Sequence, residues 1–244
     1  MKFVIFQEKY ANLVKNIQKE FLHASETLYD GRNTLKVLTY LDEEIVVKSF
    51  KIPHIINKIA YTFFRDSKAK KSYENSMKII DFVPRPLGYI EFFRFGLLHD
   101  SYFLSENYLY DFTIREVLTD IIYPDKEIIL KAFSDFSYNL HEAGIEHLDY
   151  SPGNILIKKV EKGYVFKIID VNRMVFRTLD NYARLENFTK LWANDDDLKT
   201  IITHYIKHID IDVNNAIEIA TKASQKHKDT KNFKKRLKGI EVVD

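Results

Sequence analysis

The sequence predicts an α+β chain of two lobes, a β-rich N-terminal lobe over residues 1–106 and a mainly helical C-terminal lobe over residues 107–244. Three observations predict it. Runs rich in Val, Leu, Ile, Thr and Tyr concentrate before residue 106, the strongest helical periodicity lies after it, and a polar loop followed by a short hairpin interrupts the helical half. With 244 residues and 45% apolar content, the chain can bury a substantial core.

Taken in order, residues 10–22 carry Val14, Ile17 and Phe21 at helical spacing and predict an amphipathic helix. Residues 34–41 and 45–50 read as strands, as do 87–93 and 102–104, with one helix over 67–80 between the pairs. The clearest helix is 126–143, where Ile129, Phe133, Phe136 and Leu140 form one stripe and Gly144 supplies the stop. Residues 145–153 then lack a period. They precede two short strands, 155–160 and 164–169, joined by Glu161, Lys162 and Gly163. Asp195, Asp196 and Asp197 begin a helix over 198–209, where acids complement the dipole; as a trio they could also be read as metal ligands.

Composition excludes several classes. The absence of cysteine leaves no disulfide framework and no thiolate metal site. The apolar run Phe3 to Phe6 is too short for the core of a signal peptide, and no run approaches the roughly 18 apolar residues that a spanning helix needs. A cytoplasmic location follows as the expectation, with any membrane contact peripheral. With 37 basic and 35 acidic residues, net charge gives no argument for binding nucleic acid. His141 and His147 stand six residues apart with Gly144 between them, which is not the i,i+4 spacing of a helical zinc pair.

The chemistry concentrates at 147–154, where His147, Asp149 and Asn154 fit the pattern H-x-D-x-x-x-x-N, with Asp170 following the second strand of the hairpin. Random placement would produce about 0.04 such matches in a chain of this composition, so chance is a poor explanation. Phosphoryl transfer needs a carboxylate for the acceptor hydroxyl, a role that suits Asp149. It also needs hard oxygen ligands for magnesium, which suit Asn154 and Asp170; His147 would brace the loop. Lys48, within the strand 45–50, is the candidate cation for the ATP phosphates, with Lys51 as its rival. Glu74 is the one acid of the helix 67–80, and so the candidate to hold that lysine, against a local pairing with Lys70 or Lys78. Only Gly31, in the stretch Asp30 to Asn33, could bring backbone amides to phosphate, and no glycine-rich loop exists. Adenine would lie near Glu106.

These residues resemble the protein-kinase superfamily, and the wording is more particular. His-Leu-Asp-Tyr-Ser-Pro-Gly-Asn-Ile-Leu-Ile, followed by Ile-Ile-Asp-Val-Asn-Arg-Met-Val-Phe, is similar to the bacterial lipopolysaccharide kinases. The resemblance covers roughly residues 48–176. It implies a bilobal protein-kinase-like fold and ATP- and Mg2+-dependent phosphorylation of a Kdo or heptose hydroxyl on a lipid-linked acceptor, at the inner face of the inner membrane. Under it, Lys48, Asp149, Asn154 and Asp170 match the nucleotide-lysine, base and metal positions, and Asn172-Arg173 after the aspartate departs from the Phe-Gly pair of protein kinases.

Two other functions remain open at this stage. One is phosphotransfer to a soluble small molecule such as an aminoglycoside or choline; the other is a nucleotide-binding pseudokinase scaffold, which the missing glycine loop would favour. Residues 222–238 hold Lys222, Lys226, Lys228, Lys231, Lys234, Lys235, Arg236 and Lys238 against Asp229 alone. This segment reads as a solvated C-terminal helix or frayed tail, with contact to anionic headgroups or phosphorylated sugars as the alternative.

Overall fold

A computed structural model describes residues 1–237 and 239, and the chain divides into two compact units. The first comprises residues 1–109 together with 170–172; the second holds the other described residues. Residue Lys238 of the basic segment lies outside the described residues.

The first unit is built on six antiparallel strands. In chain order its elements are β1 (Lys2–Ile5), α1 (Ala11–Lys15), α2 (Ile17–Leu22), β2 (Glu26–Asp30), β3 (Asn33–Tyr40), β4 (Glu43–Phe50), α3 (Ile55–Phe63), α4 (Lys68–Lys78), β5 (Pro86–Arg94) and β6 (Leu97–Glu106). The sheet order is β1-β5-β6-β4-β3-β2. Strand alternation assigns the two faces. Ile45, Val47, Tyr102 and Leu104 point to one face, where Tyr10, Leu13, Val14 and Ile17 of the N-terminal helical segment cover them. Phe50, Phe103 and Tyr89 point to the other, under Ala69 and Tyr73 of α4. Lys48 shares the parity of Phe50 and pairs in register with Phe103, so it belongs to the face that α4 covers.

The predicted helix 10–22 is interrupted. Asn16 stands at φ −101° and ψ 11°, and its side-chain Nδ2 donates to the Asn12 carbonyl at 2.9 Å, so an asparagine competes with the helix for its own backbone. The predicted strand 34–41 ends one residue early because Leu41 and Asp42 both take positive φ, 51° and 60°, in the tight turn that pairs Tyr40 with Glu43. Strands β1 and β2 and helix α3 have no counterpart among the predicted elements.

The second unit contains β7 (Phe112–Thr113), α5 (Ile114–Thr119), α6 (Lys126–Glu142), β8 (Ile145–His147), β9 (Ile155–Val160), β10 (Gly163–Ile168), β11 (Met174–Phe176), α7 (Asn181–Asn187), α8 (Asp195–Tyr205) and α9 (Val213–Arg236). Helix α6 packs against α8, and α8 against α9. The stripe read from the sequence is the core: Ile129, Phe133 and Leu140 are fully buried, and Phe133 stacks on Tyr150 and meets Phe166 and Phe188. Gly144 ends α6 at φ +72°, where a Cβ would stand 3.1 Å from the Arg177 carbonyl oxygen. The three aspartates start α8, as the dipole argument requires: Asn194 caps the Asp197 N–H, and Asp197 pairs with Lys126 at 2.8 Å.

His141 is buried in this core between Tyr205, 2.7 Å from Nδ1, and the Asn187 side-chain oxygen, 3.2 Å from Nε2. An amide oxygen only accepts, so Nε2 carries the proton and Nδ1 accepts from the tyrosine. Burial pushes the imidazole pKa down to about 4, against the smaller upward pull of the Asn187 hydrogen bond. The unfolded chain therefore takes up a proton near pH 6.5 that the native protein refuses until about pH 4. The contribution to stability is complete above pH 6.5 and is lost as pH falls through that window, by about 3 kcal/mol at pH 4. Urea unfolding of wild type and His141→Gln across pH 7.5 to 4 should show the steeper loss in wild type. Parallel curves would contradict the buried neutral imidazole.

Candidate active site

The loop of the second unit is set by one ring. His147 ends β8 and is fully buried. Its Nε2 lies 3.0 Å from the Ile169 carbonyl oxygen, and its Nδ1 accepts the Asp149 N–H at 3.0 Å. A carbonyl can only accept and an amide N–H only donate, so the neutral Nε2–H tautomer is fixed by its partners. The Asn187 side chain donates to the His147 carbonyl at 3.0 Å and so ties the loop to α7. Tyr150 anchors the next position: it is fully buried, its hydroxyl meets Ser137 Oγ at 2.9 Å, and its ring stacks on Phe133. Burial raises the Tyr150 pKa far above its usual value, so it stays a neutral anchor.

Held this way, Asp149 turns a half-buried carboxylate outward that makes no hydrogen bond or ion pair among the described residues. Its carbonyl accepts from Ser151 N–H at 2.7 Å and from Asn154 Nδ2 at 2.9 Å. Asn154 closes the 3-10 turn Pro152–Asn154, and its carbonyl accepts the Ile169 N–H at 3.0 Å. With Nδ2 committed to the loop, the Asn154 Oδ1 is the atom left for a ligand. Both backbone groups of Ile169 are thus held by the loop, and the next residue in the chain is Asp170.

The Asp170 segment belongs to the first unit. Asp170 takes φ +59°, a strained value for a residue other than glycine, and its Oδ1 accepts from Lys48 Nζ at 2.7 Å and from Asn172 Nδ2. The Lys48 side chain is 13% exposed and that of Asp170 31%, so the pair is shielded yet one edge of the carboxylate reaches solvent. Asn75 Nδ2 donates to the Val171 carbonyl at 2.7 Å and fixes the segment to α4.

Sequence reasoning placed Lys48, Asp149, Asn154 and Asp170 where these bonds form, and Lys48 rather than Lys51 makes the ion pair. Two positions differ. Glu74 does not hold Lys48: it lies 3.6 Å from Lys70 one turn away, while Lys48 is taken by Asp170. Gly31 N–H is bonded to the Asn33 carbonyl at 3.3 Å, and Tyr29 covers the glycine so closely that a Cβ would meet its hydroxyl. At Glu106, near which adenine was expected, the carboxylate accepts the Arg85 N–H at 2.8 Å, a bond that neither supports nor opposes that expectation.

Two residues that no pattern singled out matter here, Asn75 and Asn187. Lys190 is a third. It sits 3.2 Å from His227 Nδ1 of α9, and its pKa is lowered by burial and then by Lys231, while Glu186 and Asp149 pull it upward. The field of Asp149 therefore reaches a shielded lysine beside the basic helix. That helix is docked rather than frayed: Lys228 donates to the Ala193 carbonyl at 2.8 Å, Lys235 lies over Trp192, and Ala216, Ala220 and Ser224 are buried.

Asn187→Ala removes a bond to the His147 carbonyl and leaves His141 Nε2–H without its acceptor. The variant should lose about 1–3 kcal/mol in urea unfolding. A loss indistinguishable from zero would mean that α7 does not hold the loop.

No family model and no curated protein matches the sequence. Among solved structures the chain is similar to WaaP in complex with acyl carrier protein, with a TM-score of 0.61 and 13% identity over 94% of this chain and 99% of that one. At that identity the likeness is one of fold, and the fold is the mixed α/β, kinase-like bilobal one, with its sheet in the N-terminal part and its helices in the C-terminal part.

Proposed function

We propose that the protein is an ATP- and Mg2+-dependent kinase that phosphorylates a sugar hydroxyl, Kdo or heptose, of a lipopolysaccharide inner-core acceptor. The observation that carries the reading is the loop geometry: His147 and Asn154 hold Asp149 with its carboxylate uncommitted while fixing the residue before Asp170. The resemblance of 147–157 and 168–176 to lipopolysaccharide kinases, and the fold shared with WaaP, support the choice of substrate class.

In this mechanism Asp149 orients the acceptor hydroxyl and takes its proton as the oxygen attacks the γ-phosphorus. The bond to the β,γ-bridging oxygen breaks, and its electrons leave with ADP. Asn154 Oδ1 and the Asp170 carboxylate are hard oxygen donors and fit Mg2+, and Asp170 keeps one edge open to solvent for that role. The ion's chemistry is to neutralise charge developing on the phosphates. Lys48 serves the α- and β-phosphates from the sheet.

The intact Asp149 and its fixed loop argue against a pseudokinase scaffold.

ADP release with Mg-ATP tests the proposal, using Kdo-lipid A against soluble Kdo, heptose and an aminoglycoside. Wild type should turn over with the lipid-linked acceptor. Asp149→Ala should lose on the order of 10²–10⁴ in kcat with nucleotide affinity retained, whereas Asp170→Ala loses productive Mg-ATP binding. Turnover on soluble acceptors alone removes the lipid-linked substrate, and equal activity in Asp149→Ala removes the mechanism.

A further inference from the structure

Helix α3 is docked inside out. A surface helix of a globular protein normally turns its apolar stripe to the core. In α3 no residue is buried, and Ile55, Ile56, Ile59 and Phe63, at i, i+1, i+4 and i+8, form one apolar stripe that faces solvent. Ile56 is 79% exposed, Phe63 67% and the adjoining Phe64 80%. The protein holds the helix along the edge of the stripe and on the side away from it: Thr62 Oγ1, one step from Ile55 around the helix, accepts the Leu98 N–H of β6 at 2.9 Å, and Tyr61, on the far side, lines a cavity with Leu98 and Ser101. That bond ties the helix to β6, and the apolar stripe is left outward. A contiguous exposed patch of this kind marks an interaction surface.

The segment that carries the stripe is basic, and Asp66, the first acid beyond it, is paired with Lys70 at 2.6 Å. Residues 51–65 contain Lys51, His54, Lys58 and Arg65 and no acid. The cavity behind the start of α3, about 140 Å³, is lined by Arg32, Lys51, His54 and Lys68, together with Asn57 and Tyr61. Cationic and hydroxyl groups converging on a small cavity suit a phosphate group. An acid-free helix with bulky Ile and Phe side chains outward and cations at its rim has the pattern of an interfacial helix on a negatively charged bilayer.

We propose that α3 and the cavity behind it form the membrane-binding face of the protein: Ile55, Ile56, Ile59, Phe63 and Phe64 enter the headgroup boundary of an anionic bilayer, and Arg32, Lys51, His54 and Lys68 take a lipid phosphate. The proposal does not depend on phosphotransfer, since binding needs no nucleotide and no sugar acceptor. It also assigns membrane contact to the N-terminal unit rather than to the basic helix α9, of whose lysines Lys228 and Lys235 are engaged with Ala193 and Trp192.

The test is sedimentation of the full chain with sucrose-loaded vesicles of phosphatidylcholine alone or mixed with phosphatidylglycerol, without ATP. Wild type should pellet with the anionic vesicles and release at high salt. Ile56→Glu/Phe63→Glu/Phe64→Glu changes only exposed side chains, so its melting temperature should match wild type while its partition coefficient falls at least about tenfold. Lys51→Glu alone should weaken binding to the anionic vesicles and flatten its salt dependence. Wild type that stays in the supernatant overturns the proposal, as does a triple variant that pellets like wild type. Failure to pellet together with elution as a dimer would assign the face to a second copy of the chain and equally overturn it. Lys226→Glu/Lys234→Glu changes exposed side chains of α9 and should leave vesicle binding intact; loss of binding in that variant would move the contact to α9 and refute the assignment.

Discussion

The neutral imidazole of His147 is the constraint on which the rest of the candidate site depends. Both ring nitrogens are committed to backbone groups, one to the Asp149 N–H and the other to the Ile169 carbonyl. A single ring thus sets the direction in which Asp149 leaves the loop and the point from which the chain continues into Asp170. Replacing this buried ring with an apolar side chain would leave a half-buried donor and a half-buried acceptor unpaired together. The loop can leave the Asp149 carboxylate uncommitted because its own polar groups are satisfied elsewhere, through Ser151, Asn154 and Asn187.

Within the first unit, strand parity plays the corresponding part. Because Val47 must face Leu13 and Val14, Lys48 must face the other way, toward the side covered by α4. There it meets Asp170 rather than Glu74. The helix nevertheless contributes, through Asn75, whose side chain bonds the Val171 carbonyl. The lysine and the aspartate are therefore held from different directions, one by the sheet and one by the helix. A strained backbone at Asp170 persists because both neighbours on its C-terminal side are tied, Val171 by its carbonyl and Asn172 by its side chain to Asp170 itself.

What could be read from the sequence follows from which signals are local. Helix α6 was legible because four large apolar residues repeat over a stretch long enough to define a period, and the loop because His147, Asp149 and Asn154 have fixed spacing. Strand β2 was not, since all five of its residues are exposed and no alternation marks it. Glu74 and Asn75 are adjacent polar residues on one helix, and spacing alone favours the acid as partner for a lysine. Geometry chooses the amide because the group it meets is a backbone carbonyl, and no backbone partner leaves a trace in a side-chain pattern. Asn187 was invisible for the same reason.

Helix α3 shows a further limit of pattern reading. Hydrophobic periodicity reports that a helix has two unlike faces, and it carries no information about which face is inward. Here the inward side is the one that carries Thr62, bonded to the Leu98 N–H, and Tyr61. An outward stripe is unfavourable in water, so a sequence that retains five large apolar residues there, with cations and no acid around them, is under a constraint that the folded unit alone does not impose. The constraint is met if the apolar stripe has a surface to enter. The cations lining the cavity at the start of the same helix are the complement that a negatively charged surface would meet.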